Sequence, residues 1–200
     1  MDAAIIMCVG SRDEECFPGC SRYCCPTAIK QALLLRRSGM NVSVFYRDIR
    51  TVSTGAEQMY RAARGAGVLF VRISDGERPE VIGNGRVSAV RCYDALLDRV
   101  IEAPADLVIL SVGMKPREPE TGKFHDMLKA SLGLDGFFLE RHPELAPVET
   151  SVEGVFIAGT IQGPKDIVDT VAQASAAAAK ASVFLALSLI HISEPTRLRR

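Results

Sequence analysis

Apolar residues in the first part of the chain occur in short runs that alternate with stretches of helical periodicity. Strands are predicted at 3–9, 41–46 and 68–73, since each is a short apolar or alternating run bounded by turn residues. Helices are predicted at 26–37 and 55–64, where apolar side chains recur at helical spacing. This order of elements predicts an α/β domain with a parallel sheet and right-handed crossovers.

The sequence predicts a change of organisation at Gly113. Before it, we expect a buried strand at 105–112 and a small antiparallel excursion made by strands at 80–82 and 86–93. The segment 114–120 is rich in proline and is interpreted as a crossover into a second domain. The elements predicted there are a helix at 122–132, short strands at 135–140 and 155–158, and a long Ala/Ser-rich helix from Pro164 to about residue 186.

The sequence of the last segment, 187–200, does not continue the pattern of the preceding predicted helix, and it looks like a translated sequencing adapter. We therefore expect it to be a non-native tail and leave it out of the fold prediction. On this interpretation the sequence is a gene fragment with domains at 1–113 and 114–186.

Composition narrows the class of protein without indicating a function. The chain has 200 residues, of which 48% are hydrophobic and 24% charged, as in ordinary globular proteins. Its 24 basic and 24 acidic residues balance, so we expect no nucleic-acid partner. The sequence has no signal peptide and no long charge-free apolar span. We therefore expect a soluble, cytoplasmic protein without membrane insertion.

The cysteines are the residues that point most directly to a specific kind of site. Cys8 ends the first predicted strand, at the edge where open α/β sheets bind ligands. Cys20, Cys24 and Cys25 lead into the first helix. We expect Pro26 to keep Cys25 extended, so that the two adjacent thiols turn towards one centre. We also expect the dipole of the helix to favour their thiolate forms.

Four converging thiolates suit zinc or an iron–sulfur cluster. Structural zinc usually has paired cysteine knuckles, and only Cys20 and Cys24 resemble one, so the spacing favours iron–sulfur. Zinc, and reduced buried thiols without a metal, stay open as alternatives. Cys16 lies on a polar loop and is predicted to be free, whereas Cys92 is predicted to be a core thiol.

The first domain lacks the glycine fingerprint of a dinucleotide site. The turn after the first predicted strand has one glycine, Gly10, and the Gly65–Gly67 pair lacks a third glycine and leads into a strand. The sequence therefore predicts no nicotinamide site in this domain. Asp48 and Arg50, after the second strand, are interpreted as a surface ion pair.

Several motifs together resemble the A-type subunits of heterodisulfide reductase. They are C-V-G-S-R-D at 8–13, C-S-R-Y-C-C at 20–25, A-I-K-Q-A at 28–32, Y-R-D-I-R at 46–50, D-L-V-I-L-S-V-G at 106–113, P-V-E-T at 147–150 and G-T-I-Q-G-P-K-D-I at 159–167. The resemblance runs through essentially all of residues 1–186. The family's N-terminal FAD half and its ferredoxin-type segments have no counterpart in this sequence, which suits a fragment.

The resemblance implies a thioredoxin-reductase-like FAD core whose second Rossmann-like domain carries a [4Fe–4S] cluster. That domain would be 1–113, and 114–186 would be the C-terminal part of the FAD-binding domain. The cluster ligands implied by the motifs are Cys8, Cys20, Cys24 and Cys25. Lys30 matches the family lysine near the flavin N5, although its pattern alone predicts a solvated helix residue. The implied partners are B- and C-type subunits and a hydrogenase or dehydrogenase component that supplies electrons.

The second domain contains a candidate flavin segment. The strand predicted at 155–158 runs into glycine, and the N-terminus of the long helix would supply free N–H groups and a partial positive charge. The cofactor-binding residues implied by the resemblance are Gly159, Thr160, Gln162, Gly163, Pro164, Lys165, Asp166 and Ile167. Thr160 stands where related flavin reductases carry an aspartate that holds the ribityl chain. Without the resemblance, an ordinary turn before an alanine-rich helix is the plainer interpretation.

Three functions compete at this point. The first is electron transfer through FAD and a [4Fe–4S] cluster, as one subunit of a heterodisulfide reductase-like oxidoreductase, with flavin-based bifurcation as a further expectation. The second is a zinc-stabilised Rossmann-like structural or interaction module. The third is a pyridine-nucleotide disulfide reductase, which is disfavoured because C-x-x-C spacing is missing and adjacent cysteines form only a strained disulfide.

Overall fold

A computed structural model of the chain describes residues 1–74 and 76–193, with side chains as far as residue 186. The chain divides into two units, Met1–Gly113 and Met114–Arg200, called here the first and second unit. Of the tail predicted at 187–200, residues 194–200 lie outside the described part.

The first unit alternates strands and helices up to its third strand. Its elements in chain order are β1 (Asp2–Val9), α1 (Cys24–Arg37), β2 (Asn41–Tyr46), α2 (Ala56–Gly65), β3 (Leu69–Arg72), β4 (Glu80–Gly83), β5 (Val87–Asp94), β6 (Arg99–Pro104) and β7 (Leu107–Val112). Over residues 1–74 and 76–113, one sheet has the strand order β3-β2-β1-β7, and all of its pairings are parallel. The predicted parallel α/β sheet is confirmed.

Both faces of the parallel sheet are buried. Neighbouring residues of a strand point to opposite faces, so Val44 joins the cluster that includes Ile29 of α1, while Phe45 joins the opposite cluster with Val90 of β5. This two-sided burial explains why β1 is a nearly continuous apolar run rather than a strictly alternating one.

The antiparallel excursion has a third strand that the sequence analysis missed. Its order over the described residues is β4-β5-β6. In β6, Ala103 is buried between exposed neighbours, which is a weak signal because alanine is small. Glu102 of β6 lies opposite Arg91 of β5 and accepts a 3.0 Å hydrogen bond from its Nη2, so a cross-strand charge pair marks the register.

Helix α1 begins at Cys24, two residues before the start predicted at Pro26. The first helical hydrogen bond runs from the Thr27 N–H to the Tyr23 carbonyl at 3.2 Å. Pro26 therefore lies in the first turn, where its missing N–H has no helical partner to lose. The expectation that Pro26 keeps Cys25 extended is wrong, because Cys25 is the second residue of the helix.

The second unit has more helix and less sheet than predicted. Its elements are α3 (Glu120–Leu128), a 3-10 helix (Gly159–Ile161) and α4 (Ile167–Ser193). The strands predicted at 135–140 and 155–158 are wrong, because these segments form only isolated bridges, Leu132 with Phe138 and Glu149 with Phe156.

Helices α3 and α4 of the second unit have bounds that differ from the predicted ones. Helix α3 ends at Leu128, short of the predicted 132, because Lys129 turns to φ 56° and its N–H bonds the His125 carbonyl at 2.7 Å. Helix α4 begins at Ile167 instead of Pro164, and it continues beyond the predicted residue 186 to Ser193. Among the described residues, no helix is long and apolar enough to cross a membrane.

Candidate functional site

The four predicted ligand cysteines lie at the carboxyl edge of the parallel sheet. Cys8 is the penultimate residue of β1, Cys20 lies in the following loop, and Cys24 and Cys25 are the first two residues of α1. Side chains at a helix start tilt towards its N-terminus, so both adjacent thiols lie at this edge of the sheet, where Cys24 Sγ is 3.8 Å from the Val112 carbonyl and Cys25 Sγ is 3.9 Å from the Asp48 carbonyl.

The backbone around these cysteines is strained. Cys8, Arg12 and Arg22 have φ values of 59°, 54° and 58°, in the left-handed region that non-glycine residues rarely adopt. Each such residue costs roughly 1–3 kcal/mol and persists only where surrounding structure enforces it. Strain of this kind concentrates at functional sites, which supports a role for the loop between β1 and α1.

The four thiols influence one another electrostatically. Burial raises the pKa of Cys8, and the neighbouring Cys20 raises it further. Burial also raises the pKa of Cys25 to about 11, with further contributions from Cys8 and Cys20. The pKa of Cys24 is likewise raised by burial and then by Cys8 and Cys20. The structure therefore brings all four predicted ligands into one neighbourhood.

Burial opposes the thiolate forms that the helix N-terminus is expected to favour. Cys24 and Cys25 are 6% and 5% exposed, and burial raises the pKa of both thiols. Among the described residues, no three Cys, His, Asp or Glu side chains stand close enough to hold a metal ion. The donor set itself, four soft sulfurs, still suits zinc or iron–sulfur.

Hydrogen bonds already reach the sulfur atoms. The Arg22 N–H donates to Cys20 Sγ at 3.3 Å, and the hydroxyls of Ser111 and Ser21 hydrogen-bond Cys24. The Cys24 thiol points at the Val112 carbonyl at 3.8 Å. Donors of this kind stabilise negative charge on sulfur, which is one way proteins tune iron–sulfur centres.

Arginines that the sequence analysis did not assign to the site surround the thiols. Arg12 and Arg47 both oppose the raised pKa of Cys8 by favouring its thiolate. Arg12 pairs with Asp48, and Arg50 lies 3.5 Å from the same carboxylate. The predicted ion pair of Asp48 with Arg50 is confirmed, but it lies beside the cysteines. The sequence signal that could have assigned Asp48 and Arg50 to the site is their position just after β2, at the same sheet edge as Cys8.

The remaining cysteines differ in their surroundings. Cys16 is exposed, and it lines a cleft of about 390 Å³ together with Cys8, Arg47 and Arg78. Cys92 is 6% exposed in the cluster between the two sheets, as predicted for a core thiol.

Lys30 lies on the outer face of α1. It is exposed, and among the described residues it has no hydrogen bond or ion pair. This placement agrees with the pattern-based interpretation of a solvated residue, and its assignment to a flavin stays a prediction.

In the second unit, part of the candidate flavin segment is fixed by an internal network. Gly159 is buried at φ 76°, and its N–H donates to Gln173 Oε1 at 2.6 Å. The Gln173 side chain in turn donates to Gln162, whose own amide donates to Glu140 at 2.7 Å. Gln173, which the sequence analysis did not single out, therefore ties the 3-10 helix to α4.

The rest of the segment is more open. Thr160 is exposed and lines a cleft of about 330 Å³ with Phe124 and Phe137. A Cβ placed on Gly163 would meet nothing within 4 Å, so its backbone is accessible. Pro164 and Lys165 are half-buried, and Ile167 is 82% exposed.

Asp166 has a structural role that was not predicted. Its Oδ1 accepts the Asp169 N–H at 2.8 Å, which is the N-cap geometry of α4. One of the helix N–H groups expected to be available for a cofactor is therefore occupied by the chain itself, and the carboxylate offsets part of the helix dipole.

Comparison with known proteins first defines the fold. No protein-family model matches the chain. Two solved thioredoxin reductases match its structure, from Lactococcus lactis (TM-score 0.57, 20% identity) and T. acidophilum (TM-score 0.57, 17% identity). They match over 92% and 94% of this chain and 53% of each solved chain. The chain therefore has the fold of part of a thioredoxin reductase.

Sequence comparison identifies the family more closely. An iron–sulfur A subunit of CoB–CoM heterodisulfide reductase from Methanopyrus kandleri is 43% identical over 92% of this chain. The corresponding A subunit from Methanocaldococcus jannaschii is 45% identical over 90%. The A subunit of the H2/formate:CoB-CoM heterodisulfide,ferredoxin reductase from Methanococcus maripaludis is 44% identical over 89%. The predicted resemblance is confirmed: this chain is similar to a segment of heterodisulfide reductase A subunits, and it spans about 28% of the length of the first two of these relatives.

Proposed function

We propose that this chain is the part of a heterodisulfide reductase-like A subunit that holds an iron–sulfur cluster and completes an FAD site. The observation that carries the proposal is the gathering of Cys8, Cys20, Cys24 and Cys25 at one edge of the sheet. The names of relatives at 43% and 45% identity call them iron–sulfur subunits, which supports iron–sulfur over zinc.

The first unit would hold the cluster through one thiolate from β1, one from the loop and two from the start of α1. A bound cluster supplies one-electron transfer. Cluster binding has to displace protons from three thiols, Cys8, Cys24 and Cys25, whose pKa values are raised by burial. Cluster assembly therefore releases protons, and cluster binding becomes weaker as the pH falls. The buried positions of Cys24 and Cys25 keep water away from half of the ligand set.

We propose that assembly rearranges the loop between β1 and α1. The sulfurs stand near one another without forming a ligand group as they are. Cys20 lies in a part of the loop without helix or strand, between Gly19 and the left-handed Arg22, so small rotations there move its Sγ. We propose that loading draws Cys20 and Cys8 towards the fixed pair at the helix start.

The second unit would contribute to the flavin site. Gly163 and Thr160 offer the accessible backbone and hydroxyl, while Gly159 and Gln162 shape the turn. Pro164, Lys165, Asp166 and Ile167 would flank the cofactor as the entry to α4. Lys30 is proposed as the cation near the flavin N5. The [4Fe–4S] stoichiometry and flavin-based bifurcation belong to the same proposal.

The names of the relatives support proposals about partners. They refer to a heterodisulfide, to ferredoxin and to H2 or formate, which fits B- and C-type subunits and an electron-supplying hydrogenase or dehydrogenase. Six cysteines without a disulfide among the described residues suit a reducing compartment, and we propose the cytoplasm.

Anaerobic purification and reconstitution of the 200-residue chain with iron and sulfide tests the cluster. We expect a broad visible absorption and bound iron and sulfide in the wild type. Cys8→Ala, Cys20→Ala, Cys24→Ala and Cys25→Ala should each lose the cluster, because each removes one thiolate ligand.

Cys16→Ala and Cys92→Ala are matched controls, since one thiol is exposed and the other lies in a different core cluster. Both should keep the wild-type iron content. A colourless chain that binds zinc in preference to iron would support the alternative structural module. Full iron content in Cys25→Ala would remove the adjacent-ligand assignment.

A further inference from the structure

Two arginines beside the cysteines are joined by one carboxylate. Arg12, in the loop after β1, forms an ion pair with Asp48 Oδ1, and Arg50 Nη2 lies 3.5 Å from Asp48 Oδ2. We call these three residues the Arg12–Asp48–Arg50 bridge. Because each arginine uses a different oxygen, the carboxylate holds two cations in fixed relation to one another.

The two ends of the bridge lie beside segments that carry different proposed ligands. Arg12 lies in the loop after β1, between Cys8 and Cys20. At the other end, Arg50 lies in the segment after β2 whose backbone contacts Cys25. The bridge therefore places one positive charge on the cysteine loop and another on the segment that contacts the start of α1.

The backbone of the same residues also contacts the cysteines. The Cys25 thiol points at the Asp48 carbonyl at 3.9 Å, and the Arg50 backbone N–H hydrogen-bonds the Cys25 sulfur. The Arg12 N–H donates to the Gly19 carbonyl at 3.0 Å, and Arg47 Nη1 donates to the Arg12 carbonyl. These bonds fix both ends of the bridge to segments that carry proposed ligands.

Fixed cations beside a thiolate-ligated metal centre have a defined electrostatic effect. One-electron reduction adds negative charge to a centre whose four thiolates already carry it, so a nearby positive charge stabilises the reduced form. Exposure weakens such interactions through solvent and salt. The Arg12 side chain is 21% exposed and that of Arg50 is 42% exposed, so Arg12 should have the larger effect.

We propose that the Arg12–Asp48–Arg50 bridge raises the reduction potential of the metal centre held by Cys8, Cys20, Cys24 and Cys25. Arg12 and Arg50 act through their positive charge from beside the ligand-bearing segments, without binding the metal. This inference rests on the proposed function, because it requires that the four thiols bind a redox-active centre.

The test compares Arg12→Gln and Arg50→Gln, alone and together, in the anaerobically reconstituted 200-residue chain. We expect wild-type iron and sulfide content with a lower midpoint potential. For Arg12→Gln we expect about a tenfold fall in the one-electron reduction equilibrium constant, which is about 59 mV. Arg50→Gln should give a smaller fall in the same direction, and the double variant the largest. Raising the salt concentration should lower the wild-type potential more than that of the double variant.

Two controls separate charge from structure. Arg61→Gln removes an arginine that is 77% exposed and paired with Glu57 on α2, and it should leave the potential unchanged. Arg12→Lys and Arg50→Lys keep the charge, and they should recover most of the wild-type potential even though the hydrogen-bond geometry changes.

The outcomes distinguish this inference from the proposed function. A wild-type chain that binds no iron after reconstitution overturns both. Normal iron content with an unchanged potential in the double variant overturns the role of the bridge and leaves the cluster assignment intact. If Arg12→Gln loses iron, Arg50→Gln decides the question, because an unchanged potential in that iron-loaded variant also overturns the inference.

Discussion

The two units of this chain differ in how they bury apolar residues. The first unit has a cluster on each face of its parallel sheet, and Ile5, Val44 and Phe45 are fully buried. The second unit has one small cluster among its described residues, centred on Phe138 and Ile157. The first turns of α4 expose Ile167, Val168 and Val171, at 82%, 76% and 60%.

This difference in burial indicates which interactions stabilise the backbone of each unit. In the first unit, strand pairing and two-sided packing fix the backbone, so a strained loop carrying the cysteines can be held in place. In the second unit, order comes from local devices such as the Asp166 cap and the contact between Gln162 and Gln173. We therefore expect substitutions to act globally in the first unit and locally in the second.

The largest expected effect is loss of core packing in the first unit. Phe45→Ala removes a ring that is 0% exposed and should lower the free energy of unfolding of that unit by about 3–5 kcal/mol. Hydrogen exchange of the β1 and β2 amides measures it. The matched change is Phe184→Ala in α4, which removes a 37% exposed ring that packs edge-on against Phe156. It should cost only about 1 kcal/mol in the second unit. Equal losses of unfolding free energy in Phe45→Ala and Phe184→Ala would contradict the proposed difference in core packing between the two units.

A glycine pair gives effects of opposite sign. A Cβ on Gly113 would lie 2.7 Å from Ser11 Cβ and 3.2 Å from Ser21 Oγ, beside the cysteine loop. Gly113→Ala should therefore destabilise the first unit by about 1–3 kcal/mol and lower the reconstituted iron content. Gly122→Ala in α3 meets nothing within 4 Å and should stabilise its helix by up to about 1 kcal/mol. Thermal unfolding and iron analysis check both, and normal iron content in Gly113→Ala would argue against a tightly packed loop.

Loss of the α4 cap should be a smaller and local effect. Asp166→Ala leaves the Asp169 N–H without its side-chain partner and should cost about 1 kcal/mol of helix stability. The measurement is faster hydrogen exchange at the first turn of α4. Asp166→Asn keeps an acceptor and should behave like the wild type. If Asp166→Ala also accelerated exchange throughout the first unit, the two units would not be energetically separate.

The smallest effect at neutral pH concerns Cys92. Burial, then the charges of Asp94 and Glu77, raises the pKa of its thiol from 9.0 to about 11. The folded state keeps the proton where the unfolded chain has lost it, so stability is complete below pH 9 and falls as the pH rises towards 11. Unfolding free energies of the wild type and Cys92→Ala across this range measure the difference. The same pH dependence of unfolding free energy in both proteins would refute the role of Cys92 in this loss of stability.

Alkylation of the thiols gives a second comparison. Exposed Cys16 should react well before buried Cys92.

Prediction from sequence succeeded where a local pattern had one structural meaning. The strand predicted at 41–46 has the observed bounds of β2, because its alternating segment lies between clear turn residues. Strand β6 was missed since only two of its residues, Ile101 and Ala103, face the core, and the rest are exposed. The strands predicted at 135–140 and 155–158 failed for another reason. Their composition suits a strand, but in the described structure each finds only a single bridging partner.

By itself, the sequence determined the order of strands and helices in the first unit and the position of four cysteines near one sheet edge, because periodicity and turn residues act over a few neighbours. Only the tertiary structure decided what surrounds them. The parallel register that sets Ile6 opposite Phe45 brings the carboxyl ends of β1 and β2, and therefore Cys8 and Asp48, to the same edge of the sheet. The loop conformation then turns Arg12 onto Asp48, 36 residues away along the chain. Such contacts depend on how distant strands align, and no local pattern of residues contains that alignment.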